Sequence, residues 1–201
     1  APVNNLNGRL PVMFWIHGGG NTSGVKDYYD FSELIREHQV MVVTINYRLG
    51  PMGWFTHPAI QGLQNGIDKA SNFGTLDIME ALKWVQTNIQ NFGGDPENIT
   101  IFGESAGGNN VLSLLASPMG NGLFHKAISQ SGYTTSFTKE EALGLNQKGA
   151  VVNQLGSDPV LSSFDSSGYG RIKNLFDQDP QKYAEEYQRY LRSIDGKALL
   201  E

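Results

Sequence analysis

The sequence predicts an α/β fold, a doubly wound and mostly parallel sheet with flanking helices and a helical C-terminal stretch. Three observations carry that expectation. Short unbroken apolar runs such as PVMFWI (residues 11–16) read as strands covered on both faces, the habit of parallel sheets. These runs alternate with stretches of helical periodicity, the pattern of βαβ units. The composition can supply a core: of 201 residues 39% are hydrophobic and 10% aromatic, while charged residues make up 17% against a usual share of about 25%.

The same numbers exclude several classes. A highly charged disordered chain and a coiled coil are ruled out. A net charge of −5 argues against a general nucleic-acid binder, which would show a basic face. No window approaches the roughly 18 apolar residues that cross a bilayer. Cysteine is absent, so there is no disulfide framework, thiolate nucleophile or Cys-based zinc site. No His-x-x-x-His or carboxylate cluster suggests a metal. The glycine runs lack the G-x-G-x-x-G spacing of a nicotinamide or flavin site.

In chain order, PVMFWI is the first strand and ends at His17-Gly18-Gly19-Gly20. Residues 28–39 form a short amphipathic helix, with Phe31, Leu34 and Ile35 among charges. VMVVTI (residues 40–45) is β-branched and predicts a second buried strand. Residues 46–72, rich in Gly, Pro and Asn, read as a long irregular excursion. Residues 76–92 make the clearest helix, since Leu76, Met79, Leu82, Val85 and Ile89 recur at spacings of three and four. Gly93-Gly94-Asp95-Pro96 stops it. NITIF (residues 98–102) is a third strand, followed by Gly103-Glu104-Ser105-Ala106-Gly107 and a helix to about Ala116. Residues 127–130 suggest a fourth strand. Beyond Lys139 the chain turns helical, with segments 140–155, 171–176 and 181–191. The expected organisation is a sheet core over residues 1–138 and a helical region over 139–201.

The chemistry rests on two glycine motifs. Strand, G-x-S-x-G, helix is the context that makes this pentapeptide informative. A serine on such a sharp turn takes a strained backbone, and the glycines beside it let neighbouring strands approach. Ser105 would stand clear of the sheet at a helix N-terminus, and Ala106 would donate its backbone N–H to an oxyanion. The second motif, HGGG after a buried strand, leaves N–H groups free to converge on a substrate oxygen. No Walker-type lysine follows it, which argues against a phosphate loop. Together the motifs point to a serine ester or amide hydrolase. The bland alternative, a Gly/Ser turn and a flexible hinge, explains neither the strand before Ser105 nor the apolar helix after it.

At this density of motifs the sequence resembles the type B carboxylesterases, a family that includes cholinesterases and bacterial para-nitrobenzyl-type esterases. The resemblance runs from about Leu10 to Gly132. It is carried by FGGDPENITIFGESAG (residues 92–107), NYRLGPMGWF (46–55), NFGTLD (72–77) and GLFHKAISQSG (122–132). It implies an α/β-hydrolase fold and cofactor-free hydrolysis of a small-molecule carboxylic ester. It implies Ser105 as nucleophile, with Gly19, Gly20 and Ala106 as a three-donor oxyanion hole. Glu104 would be the acidic neighbour of the nucleophile, and Ser131 a residue close to the triad acid. Asn21 departs from the pattern, because the family usually has an aromatic there; the departure bears on the acyl pocket. The hormone-sensitive-lipase-like esterases are a rival within the fold, but Glu104, the FGG run and SQSG favour type B. A non-catalytic cholinesterase-like adhesion protein is the rival outside enzymology, and Ser105 in its intact elbow speaks against it. An interfacial lipase is a further alternative. Asn21-Thr22-Ser23 and Asn98-Ile99-Thr100 match the N-glycosylation pattern, a weak signal at this length.

A serine nucleophile needs a base, and the base an orienting acid, in the chain order nucleophile, acid, histidine. After Ser105 the sequence has one histidine, His125, which by resemblance is structural. His17 belongs to the glycine loop, His38 to a helix end and His57 to the excursion. Asp165, Asp177 and Glu185 read as solvated helix charges. The expectation is therefore that the triad acid and histidine lie outside this chain, which would be the nucleophile half of a longer esterase and inactive alone.

Overall fold

The computed structural model describes residues 8–134, 136–144, 161–163 and 166–195. Strand β1 (Leu10–Ile16) lies inside the sheet, with Val12, Phe14, Trp15 and Ile16 all buried. It pairs in parallel with β2 (Met41–Thr44) on one side and β3 (Gly94–Glu104) on the other. Strand β4 (Lys126–Gln130) adds in parallel to β3, so the order is β2-β1-β3-β4. Parallel neighbours need crossovers. These are α1 (Ser32–His38) between β1 and β2, α4 (Phe73–Asn88) ahead of β3, and α5 (Ala106–Ala116) between β3 and β4.

The elements differ from expectation in ways the local chemistry explains. Helix α1 begins at Ser32 because the Asp30 carboxylate accepts from the Ser32 N–H at 2.9 Å, leaving Tyr28 and Tyr29 outside it. In β2 only Met41 is buried, since among the described residues this strand pairs on one side only. Helix α4 buries Met79, Leu82 and Val85 of the expected stripe and adds Ile78, while Leu76 is only half-buried. It passes into a 3₁₀ turn (Ile89–Phe92) that closes on Gly93 at φ 88°. Strand β3 extends well beyond NITIF in both directions.

The excursion is ordered. Within it lie α2 (Gly50–Trp54), α3 (Pro58–Leu63) and a 3₁₀ turn (Gly66–Ala70). Pro58 takes the first turn of α3, and the His57 side chain accepts from the Ala59 N–H at 3.2 Å. Helix α6 (Lys139–Leu143) opens on a Thr138–Glu141 capping box and stops at Gly144 in the left-handed region. The rest of the helix expected to residue 155 lies outside the described residues, as does Asp165. Helices α7 (Ser166–Gln178) and α8 (Pro180–Ser193) are both longer than their apolar patterns suggest. Asp179 caps α8 by accepting from the Lys182 N–H at 3.1 Å, with Pro180 in its first turn.

The chain divides into two compact units. Ala1–Leu49 with Gly74–Thr134 forms the sheet unit, and Gly50–Phe73 with Thr135–Glu201 the helical unit. The sheet unit buries Val12, Phe14, Ile16, Ile99, Ile101, Leu82 and Leu114. The helical unit has its own core of Ala59, Leu161, Tyr169, Ile172, Phe176 and Tyr187. Among the described residues, no helix is long and apolar enough to cross a membrane.

Candidate active site

Ser105 sits at the turn from β3 into α5, at φ 55° and ψ −121°. A non-glycine residue in such a region carries strain of about 1–3 kcal/mol and persists only where its surroundings hold it. Here they do. The Ser105 N–H donates to the Gln130 carbonyl at 2.9 Å, and the Ser105 carbonyl accepts from the Asn109 N–H at 3.0 Å. The glycines around it are required by close backbone approach. A Cβ on Gly107 would run into the Ile16 carbonyl oxygen, and one on Gly103 would lie 2.6 Å from the Gly107 carbonyl. The Ser105 hydroxyl makes no capping bond to α5, although it occupies the capping position. The first amides of that helix, Ala106 among them, have no intrahelical acceptor, and the helix dipole adds positive potential there.

The glycine loop at the end of β1 touches this turn. A Cβ on Gly18 would stand 2.8 Å from the Glu104 carbonyl oxygen, 3.1 Å from the Glu104 carboxylate and 3.2 Å from Ser105 Cβ. Two carbonyls of the loop are engaged. His17 Nδ1 lies 2.8 Å from the Gly18 carbonyl, which can only accept, so Nδ1 carries the proton. The Gly19 carbonyl accepts from the Thr22 and Ser23 N–H groups at 3.1 and 3.0 Å and from the Ser23 hydroxyl at 3.1 Å. The buried His17 ring stacks on Tyr47 at 4.4 Å, and the Tyr47 hydroxyl donates to the His17 carbonyl at 2.6 Å. Burial pushes that hydroxyl up to about 12, despite a hydrogen bond from Asn110 that opposes the shift.

Asn21 follows the glycine run at φ 60°, and its Oδ1 accepts from Asn110 Nδ2 on α5 at 2.9 Å. Ser131, exposed at φ 52°, follows the Gln130 that anchors Ser105. The next residue, Gly132, packs against the Gly108 backbone. The structure therefore brings Gly18 against Glu104 and Ser105, with Gly19 and Gly20 next in the loop and exposed, Ala106 next after Ser105, and Ser131 beside the first turn of α5. Next to Tyr47, Arg48 grips Asp77 through Nε and Nη2 at 2.8 and 2.7 Å and through its backbone N–H at 3.0 Å. Partial burial would raise the Asp77 carboxyl, but the Arg48 hydrogen bonds and charge outweigh it and hold the group below its ordinary value.

The other histidines are committed elsewhere. His125 Nδ1 accepts from the Ile99 N–H at 3.1 Å, and the His125 backbone N–H donates to the Ile99 carbonyl at 2.8 Å. Ile99 is six residues before Ser105 on β3, which places that pairing about 20 Å down the strand. His38 is exposed in the last turn of α1, and His57 belongs to the helical unit. Sequence reasoning missed Tyr47 and Asn110. The signal for Asn110 was a polar residue on the buried face of an otherwise apolar helix.

A profile of the Carboxylesterase family matches residues 1–184. The chain belongs to the carboxylesterase family. It is 41% identical over 181 residues to para-nitrobenzyl esterase of Bacillus subtilis (strain 168), covering 83% of this chain and 36% of that protein. To carboxylesterase 1E of Rattus norvegicus it is 48% identical over 147 residues, 72% of this chain and 25% of the rat protein. The solved structure of a thermophilic PNB esterase matches with a TM-score of 0.66 at 36% identity, covering 95% of this chain and 37% of that one. The α/β-hydrolase fold and the type B resemblance thus hold. The chain spans roughly a third of the bacterial relative's length and a quarter of the rat protein's.

Proposed function

We propose that this carboxylesterase chain carries the nucleophile and the oxyanion donors of a serine carboxylic-ester hydrolase. One observation supports the reading most. Ser105 stands on a strained turn with its hydroxyl unused by the helix it begins, directly beside the glycine loop. In the reaction, Ser105 Oγ adds to the carbonyl carbon of a small ester and passes its proton to a base. The carbonyl oxygen becomes an oxyanion that accepts from the N–H groups of Gly19, Gly20 and Ala106. Collapse expels the alcohol and leaves acyl-Ser105; water then releases the acid and restores the serine.

Peptide geometry supports the two loop donors. In a trans peptide the carbonyl and the following N–H point in opposite directions. The Gly18 carbonyl is turned to His17 and the Gly19 carbonyl to Thr22 and Ser23. The N–H groups of Gly19 and Gly20 consequently face away from those contacts. Each such donor is worth about 3 kcal/mol in the transition state. Glu104, with its carboxylate against Gly18, and Ser131 serve as supports around the nucleophile. The bonds of His125 to Ile99, about 20 Å along β3 from Ser105, speak against it as the base. In this reading the base and its acid come from sequence outside these 201 residues, and the chain alone turns over little or no ester.

The test is hydrolysis of p-nitrophenyl acetate by the full-length protein. Ser105→Ala should lower kcat by a factor on the order of 10⁴ or more. Retention of wild-type turnover in that variant contradicts the proposal.

A further inference from the structure

The oxyanion donors belong to two separate elements, the glycine loop after β1 and the first turn of α5. Their mutual spacing has to be held to about half an ångström for all three amides to meet one oxygen. The close approach of Gly18 to Glu104 and Ser105 limits how near the loop can come, but such contact has no direction of its own. A directional bond between the elements is present: Asn21 Oδ1 accepts from Asn110 Nδ2 at 2.9 Å, joining residues 89 positions apart. Asn110 is buried and lies four residues after Ala106, on the same face of α5. At the other end of the loop the Tyr47 hydroxyl donates to the His17 carbonyl at 2.6 Å, so that end is held as well.

The backbone at Asn21 fits the same role. Its φ of 60° lies in the left-handed region, where asparagine is among the best tolerated side chains. The loop reverses there and aims the amide at α5. We propose that the Asn21–Asn110 bond is a clamp setting the distance between the Gly19 and Gly20 amides and the Ala106 amide, so that both asparagines are positioning residues for ester hydrolysis. The inference rests on the reading of Ser105 and the oxyanion donors given above.

The test uses Asn21→Gly, Asn110→Ala and the double variant in the full-length protein, assayed on p-nitrophenyl acetate. Glycine keeps the left-handed turn and deletes only the amide, so Asn21→Gly decides alone if Asn110→Ala fails to fold. The clamp predicts that kcat falls about tenfold while KM stays within about twofold, because the spacing matters in the transition state. It predicts that a trifluoromethyl ketone, which forms a tetrahedral serine adduct, loses affinity by the same factor. The double variant should be no worse than the more damaged single variant. Wild-type kcat and ketone affinity in Asn21→Gly, alongside an inactive Ser105→Ala, would overturn the clamp and leave the nucleophile standing. Multiplicative losses in the double variant would overturn it too. Full activity in Ser105→Ala would remove the reading beneath it.

Discussion

At Ser105 the backbone, the hydroxyl and the neighbours each contribute a separate constraint. The strained φ and ψ turn the side chain away from the capping role that serine usually takes at a helix start. Gly107 makes this geometry reachable, because no side chain fits between it and the Ile16 carbonyl. Gly107→Ala should therefore destabilise the sheet unit by about 3 kcal/mol, the upper part of the range for overpacking. Urea unfolding followed by tryptophan fluorescence reads this directly, and an unchanged midpoint would show that β1 and α5 have room to separate. The Arg48–Asp77 pair acts in the same local way, holding the segment after Tyr47 to α4 through three hydrogen bonds.

Among the elements, α3 illustrates how a short helix can depend on one titratable cap. His57 accepts from the Ala59 N–H and packs edge-on against Tyr187 at 4.4 Å, within the helical unit. Burial lowers its pKa from 6.5 to about 4, and the positive charge of Lys173 adds to the effect, with Asp177 opposing it. The folded unit thus resists a proton that the unfolded chain takes up. Stability from neutral His57 is complete above pH 6.5 and is lost as the pH falls towards 4, by up to about 3 kcal/mol. The urea midpoint of the wild type should drop between pH 7 and 4.5 by clearly more than that of His57→Phe, which keeps the aromatic packing. Parallel pH profiles for the two proteins would contradict the assignment.

On the scale of the whole molecule, the sequence disclosed what is encoded locally. β1 and β3 were legible because burial on both faces leaves an unbroken apolar run, and the turn at Ser105 because strand, glycine pair and helix are contiguous. The excursion was misread because α2 and α3, at five and six residues, are too short to show a period. The incomplete burial of β2 follows from its edge position, which no local pattern reports. Tyr47 reaches His17 across 30 residues and Asn110 reaches Asn21 across 89, so the bonds that brace the site exist only once the sheet has formed. In the proposed reaction this assembled turn bears the reactive serine. Labelling the full-length protein with a fluorophosphonate and mapping the adduct by peptide mass spectrometry tests that role at the residue itself. One adduct is expected, on Ser105, and none in Ser105→Ala. An adduct on another residue, or equal labelling of Ser105→Ala, would contradict it.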